Sequence, residues 1–159
     1  MVLIIMDNSY EQKKEIALLN LKCAGWYPNR KVDVDMPLLE LLEDGIEIFQ
    51  SGIEFLQEFC FLEIDFKCIH IQDATNKIII NPTCGLGYKR DCEIISKYIK
   101  KKLMPIGAYN DLFILLITTD NEICGCYDET LKFIGKDIYE AIYNLIFDID
   151  LNSLQIPEL

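Results

Sequence analysis

Ten carboxylates fall between Val32 and Phe66 with no lysine or arginine among them: Asp33, Asp35, Glu40, Glu43, Asp44, Glu47, Glu54, Glu58, Glu63 and Asp65. Carboxylates can hold a hard cation, work as a general acid–base pair, or present negative charge to a basic partner. Calcium fits poorly. Asp33-Val34-Asp35 opens like a calcium loop, but Pro37 stands where a third ligand is needed and Leu38 where that loop requires glycine. No pair can be singled out for acid–base work, because the acidic residues are many and read as surface-exposed. The third use remains, and Glu40, Glu43, Asp44, Glu47, Glu54 and Glu58 are its candidate contacts.

Seven cysteines and one histidine are the other reactive side chains. The cysteine count is odd, no C-x-x-C pair occurs, and Cys124-Gly-Cys126 is a lone C-x-C, so neither a disulfide framework nor a zinc site is expected. Most of these thiols read as small core hydrophobes. His70 lies on an expected strand without a nucleophile motif and reads as a surface or partly buried histidine. Cys84-Gly85-Leu86-Gly87-Tyr88-Lys89-Arg90 has Arg90 where a dinucleotide loop needs its third glycine, and it lacks the G-x-x-x-x-G-K of a P-loop. It reads as a turn before a helix. No catalytic residue, cofactor or metal is expected, and a small enzyme using one cysteine is the weakest of three functional readings.

Composition narrows the partner. With 15 basic and 26 acidic residues the chain carries a formal charge of −11. That charge repels nucleic acids and anionic membranes and favours basic proteins. Acidity alone is accounted for by solubility; it becomes a binding argument only on an ordered frame. The 159 residues suit one domain with a real core. The run Met1 to Met6 has no preceding basic residue and is too short for a signal-peptide core, and Leu112 to Ile117 is too short to span a bilayer. A cytoplasmic location is expected.

The elements that must position the acids follow from periodicity. A helix is predicted from Ser9 to Cys23, capped by Ser9, with Ile16, Leu19 and Cys23 inward. Gly25 stops it. Leu39, Leu42, Ile46, Phe49, Ile53 and Leu56 recur three and four apart and predict an inward stripe. Glu40, Asp44, Glu47, Glu54 and Glu58 follow the same rhythm about 100° around, with Ser51 filling the gap. Gly45 and Ser51-Gly52 split the region into two helices, near 36–44 and 50–59, which leaves the alignment of their acidic faces open. Leu62 to Cys68 alternates as a strand, with Ile69 and Ile71 continuing it past a bulge, and Lys77 to Asn81 pairs back. A helix from Asp91 to Leu103 follows, with Ile94 or Ile95, Tyr98 and Leu103 inward, broken by Pro105-Ile106-Gly107. Asp111 to Thr119 and Glu122 to Tyr127 form a hairpin, Leu131 to Ile134 another strand, and a last helix runs to about Phe147. There Ile138, Ala141 or Ile142, and Leu145 face inward. The tail from Asp148 is expected to be loosely held. The whole is one α+β domain over 1–159, with a core at about 9–147 and an antiparallel or mixed sheet flanked by N-terminal, middle and C-terminal helices.

Several of these segments together resemble a known family. Leu21-Lys22-Cys23-Ala24-Gly25-Trp26-Tyr27-Pro28-Asn29-Arg30, then Glu54-Phe55-Leu56-Gln57-Glu58-Phe59, then Pro105-Ile106-Gly107 before a hairpin and Cys126-Tyr127 through Gly135 before the closing helix are similar to the third SUKH subfamily. These are Smi- and Knr-related immunity proteins of bacterial polymorphic-toxin systems. Two features depart from the family: Cys60-Phe61 replaces a frequent Gly-Gly, and the turn Asp120-Asn121-Glu122 lacks glycine. The resemblance implies an α+β fold and an antitoxin that binds and silences a cognate toxin, many such toxins being basic nucleases. Glu40, Glu43, Asp44, Glu47, Glu54 and Glu58 then become expected toxin contacts, with aromatic anchors such as Tyr88 or Tyr109. A non-catalytic regulatory or scaffold module that binds other cellular proteins is the alternative.

Overall fold

The computed structural model describes residues 9–159, so the run Met1 to Met6 lies outside the described residues. Among the described residues three helices come first: α1 (Tyr10–Cys23), α2 (Asp35–Glu43) and α3 (Gln50–Phe59). Strands β1 (Glu63–Lys67) and β2 (Thr75–Ile79) follow, then a short 3-10 turn over Pro82–Gly85 and helix α4 (Lys89–Ile99). The chain closes with β3 (Leu103–Tyr109), β4 (Phe113–Thr118), β5 (Ile123–Tyr127), β6 (Thr130–Gly135), α5 (Ile138–Ile146) and β7 (Ser153–Gln155). The seven strands of the described residues form one sheet in sequence order, every neighbouring pair antiparallel. This is the expected α+β class, with the sheet antiparallel throughout.

The sheet buries both faces. Ile64, Ile78, Met104, Ile106, Leu115 and Ile117 form one core with Ala17, Leu21, Leu38, Leu41, Leu56 and Ile142 from α1, α2, α3 and α5. On the other face Leu103, Ile114, Leu116, Cys124 and Leu131 pack with Cys92 and Ile95 of α4 and with Ile156. Two apolar faces explain why half the residues are apolar in a chain with so many charges.

Local chemistry sets the helix ends. Ser9 Oγ accepts the Gln12 N–H at 3.4 Å, as expected of that cap, and Asp137 Oδ1 caps α5 by accepting the Glu140 N–H at 2.9 Å. α1 and α2 end alike. Gly25 and Gly45 take positive φ, the Trp26 N–H returns to the Leu21 carbonyl, and the Ile46 N–H returns to Leu41. This paired closure satisfies carbonyls the last turn would otherwise leave open.

Five expectations are corrected. In α1 the buried residues are Ala17 and Leu21, while Leu19 and Cys23 are exposed and Ile16 is half-buried. The rotation is set by α5: Tyr10 hydrogen-bonds Asp137, and the ammonium groups of Lys13 and Lys14 lie over the rings of Tyr143 and Tyr139 at 5.4 and 4.8 Å. β1 ends at Lys67, and Ile69 and Ile71 are exposed in the loop beyond, which also holds His70. α4 ends at Ile99, Leu103 begins β3, and Tyr98 is exposed, donating its hydroxyl to Glu158 at 2.6 Å. Pro105-Ile106-Gly107 does not terminate a helix but lies within β3. A bulge there, between Pro105 and Gly107, lets the strand accommodate a residue without an N–H. The segment after Asp148 supplies β7, which pairs with β6, and Ile156 is fully buried.

Candidate interaction surface

The six candidate carboxylates stand on α2, on the loop after it and on α3, and the fold gives them different surroundings. α2 buries Pro37, Leu38 and Leu41. Its start is fixed by Asp33 Oδ1, which accepts the Asp35 N–H at 2.9 Å, with Pro37 in the first turn. Glu43 is exposed and Glu40 half-exposed, and among the described residues no hydrogen bond or ion pair of either side chain is found. These two present uncompensated charge.

The next two acids are engaged. Asp44 Oδ2 accepts the Gly87 N–H at 2.8 Å, joining the end of α2 to the loop that precedes α4. The glycine-bearing loop is thus a structural tie, and Gly87 at φ +90° supplies the backbone turn it needs. Glu47 pairs with Lys102 at 2.5 Å, across a crevice whose walls include Lys89, Cys92 and Ser96. That exposed pair cancels charge more than it adds stability.

Glu54 and Glu58 belong to another place. They line a cleft of 270 Å³ between α3 and α5, with Phe55, Phe59, Asp137 and Tyr139. Glu54 accepts from the Gln50 amide at 3.1 Å, and Glu58 accepts from the Trp26 indole N–H at 3.1 Å. Arg30 Nη1 and Nη2 reach the carbonyls of Glu58 and Cys60 at 2.5 and 2.8 Å. Tryptophan and arginine of the Ala24–Arg30 run therefore fasten the end of α3, where carbonyls favour a cation. The six acids do not form one continuous row.

Other sequence candidates are also accounted for. His70 is exposed and pairs with Asp148 at 2.6 Å. Cys60, Cys92, Cys124 and Cys126 are buried, and Cys23 is exposed; all seven are free thiols. Burial pushes Cys60 and Cys126 up to about 11 and Cys92 and Cys124 up to about 12. Thiols held so far from ionisation are poor nucleophiles at neutral pH. Among the described residues no group of three or more histidine, cysteine, aspartate or glutamate side chains is placed to hold a metal. Tyr109 lies partly buried in an aromatic row between Phe66 and Phe113, at 6.3 and 6.2 Å, and Tyr88 packs on the core beneath α4. Neither stands out as a free anchor.

What periodicity assigned to the wrong side is apolar. Leu39 and Leu42, expected in the core stripe, are exposed together with Met36. Their signal was present as two adjacent leucine pairs, Leu38-Leu39 and Leu41-Leu42, either member of which satisfies the helical period.

Comparison with family models matches residues 14–148 to the SUKH-3 immunity protein family. No curated protein and no solved structure matches the chain.

Proposed function

The chain belongs to the SUKH-3 immunity protein family, and from that membership we propose that it is an antitoxin that binds a cognate toxin domain and blocks its working surface. The family match over nearly the whole chain is the observation that carries this reading. Charge supports a basic target. At −11 the protein accelerates encounter with cationic surfaces, such as the phosphate-holding face of a nuclease, and it repels nucleic acid itself. Occlusion requires no chemistry from the antitoxin, in keeping with buried cysteines of raised pKa and a surface histidine paired with a carboxylate.

Among the expected contacts Glu40 and Glu43 are the strongest, because Asp44, Glu47, Glu54 and Glu58 already hold partners within the fold. The site of action in this reading is the cytoplasm of the producing cell; among the described residues no helix is long and apolar enough to cross a membrane. Co-expression with the toxin encoded directly upstream tests it. Growth should be rescued and a complex should co-purify. Absence of both rescue and complex would remove the antitoxin reading.

A further inference from the structure

We propose that the outward face of α2 is the toxin-docking surface: Met36, Leu39 and Leu42 form an apolar ridge rimmed by Asp35, Glu40 and Glu43, and it takes an apolar patch ringed by lysine and arginine. The inference rests on the antitoxin reading and specifies the contact and the chemistry of its partner.

Three large apolar side chains are left in water within seven residues. Met36 is 65% exposed, Leu39 47% and Leu42 52%. They are not strays from a poorly docked helix, because the opposite face is buried through Pro37, Leu38 and Leu41. Both ends are also fixed, by the Asp33–Asp35 turn at the start and by the Gly45 closure and the Asp44–Gly87 bond at the finish. A ridge held this firmly loses little conformational freedom on binding. On an ideal helix Met36 and Leu39 point outward, and Glu43 closes the same line one turn beyond Leu39 at the end of α2. Leu42 and Asp35 lie to one side and Glu40 to the other, at about 100° per residue. Apolar centre and charged rim is the general anatomy of a protein interface.

Charge selects the occupant. No lysine or arginine lies in residues 32–66, so two copies meeting through α2 would bring six carboxylates together with no cation from either segment. Nucleic acid and anionic bilayers meet the same repulsion. A toxin surface with an apolar centre and a basic ring satisfies both halves of the face. Ile69 and Ile71, also exposed, flank His70, which is paired with Asp148, and so lack a rim of one sign.

The test uses the toxin domain encoded directly upstream, purified as an inactive variant, and measures association and dissociation rates with the full chain. Met36→Ser/Leu39→Ser/Leu42→Ser should weaken binding by about 100-fold or more, chiefly through faster dissociation. Glu40→Gln/Glu43→Gln should slow association and reduce its salt dependence. Ile69→Ser/Ile71→Ser should bind like the parent. Should the triple variant not fold, Leu39→Ser alone carries the test with an expected loss of about tenfold. Failure of the parent chain to bind removes the antitoxin reading. A parent that binds while the α2 variants bind equally well overturns this surface and leaves the antitoxin reading standing. A parent that dimerises alone, and becomes monomeric on the triple substitution, also overturns it, since the face then belongs to a second copy.

Discussion

The indole N–H of Trp26 donates to Glu58 Oε1 at 3.1 Å and joins the turn after α1 to the last turn of α3. A residue that the sequence offers as a surface contact is therefore also part of the scaffold. Arg30 strengthens the same junction through the carbonyls of Glu58 and Cys60. Breaking it should cost stability before it costs recognition. Trp26→Phe should lower the unfolding free energy by about 1 kcal/mol, and Arg30→Ala by about 2 kcal/mol, because the latter removes charge-assisted bonds to two carbonyls. Urea midpoints check both values, and an unchanged midpoint for Arg30→Ala would show that the clamp contributes nothing.

Gly107 has no room for a side chain. A Cβ built there would lie 2.0 Å from the Ile79 carbonyl oxygen of the neighbouring strand. Gly107→Ala must push β2 and β3 apart, and a loss of about 3 kcal/mol or more, or failure to accumulate as soluble protein, is expected. Thermal unfolding of the purified variant gives the answer. A midpoint within a degree of the parent would contradict the close approach.

Lys100 ends α4 in the left-handed region at φ +57°, with its side chain exposed. Replacing it by glycine removes the Cβ penalty and should raise stability by about 1 kcal/mol. Lys100→Ala keeps the Cβ and should not. Equal behaviour of the two variants in chemical denaturation would locate the effect in the lysine charge instead.

Alkaline pH should destabilise the fold through its buried thiols. Folded Cys92 and Cys124 remain protonated up to about 12, and Cys60 and Cys126 up to about 11, owing first to burial. In the unfolded chain thiols ionise near about 8.5, so above that pH the unfolded state binds fewer protons than the folded state. Stability is thus fully present below about pH 8.5 and falls as pH rises toward the folded values. Unfolding free energies at pH 7, 9 and 10 should decrease in that order, and a flat profile would place these thiols in water.

Thiol labelling offers an independent check of the core. Cys23 is exposed, whereas Cys60, Cys92, Cys124 and Cys126 are buried. An aromatic disulfide reagent at pH 8 should modify Cys23 in the fast phase and those four only on unfolding. Loss of the fast phase in Cys23→Ser identifies the site.

Much of this protein is legible in its residues. Ser9 and Asp137 mark helix starts, Gly25 and Gly45 mark helix stops, and the alternation from Leu62 to Phe66 marks a strand, because caps, left-handed closures and pleats act within a few residues. The ordered motifs around Trp26 and Phe55 also point to the family that matches residues 14–148. The candidate surface was half legible: the carboxylates of α2 are where periodicity puts them, outside, but its leucines are divided differently.

That division is a tertiary decision. Leu38 and Leu39, like Leu41 and Leu42, are neighbours about 100° apart on the helix, and each set alone satisfies the three-to-four spacing. Packing into the core, where α2 lies against the 3-10 turn over Pro82–Gly85, selected Leu38 and Leu41, leaving Leu39 and Leu42 in water. Pro105-Ile106-Gly107 shows the same limit, since a proline and a glycine that would end an isolated helix fit within β3 at a bulge where the next strand comes close. The sequence by itself determined the local signals, such as the cap at Ser9 and the stops at Gly25 and Gly45, and how much charge each segment carries. Only the packed structure decided which apolar face turned inward, because long-range contacts, absent from any local pattern, set each helix's rotation about its axis.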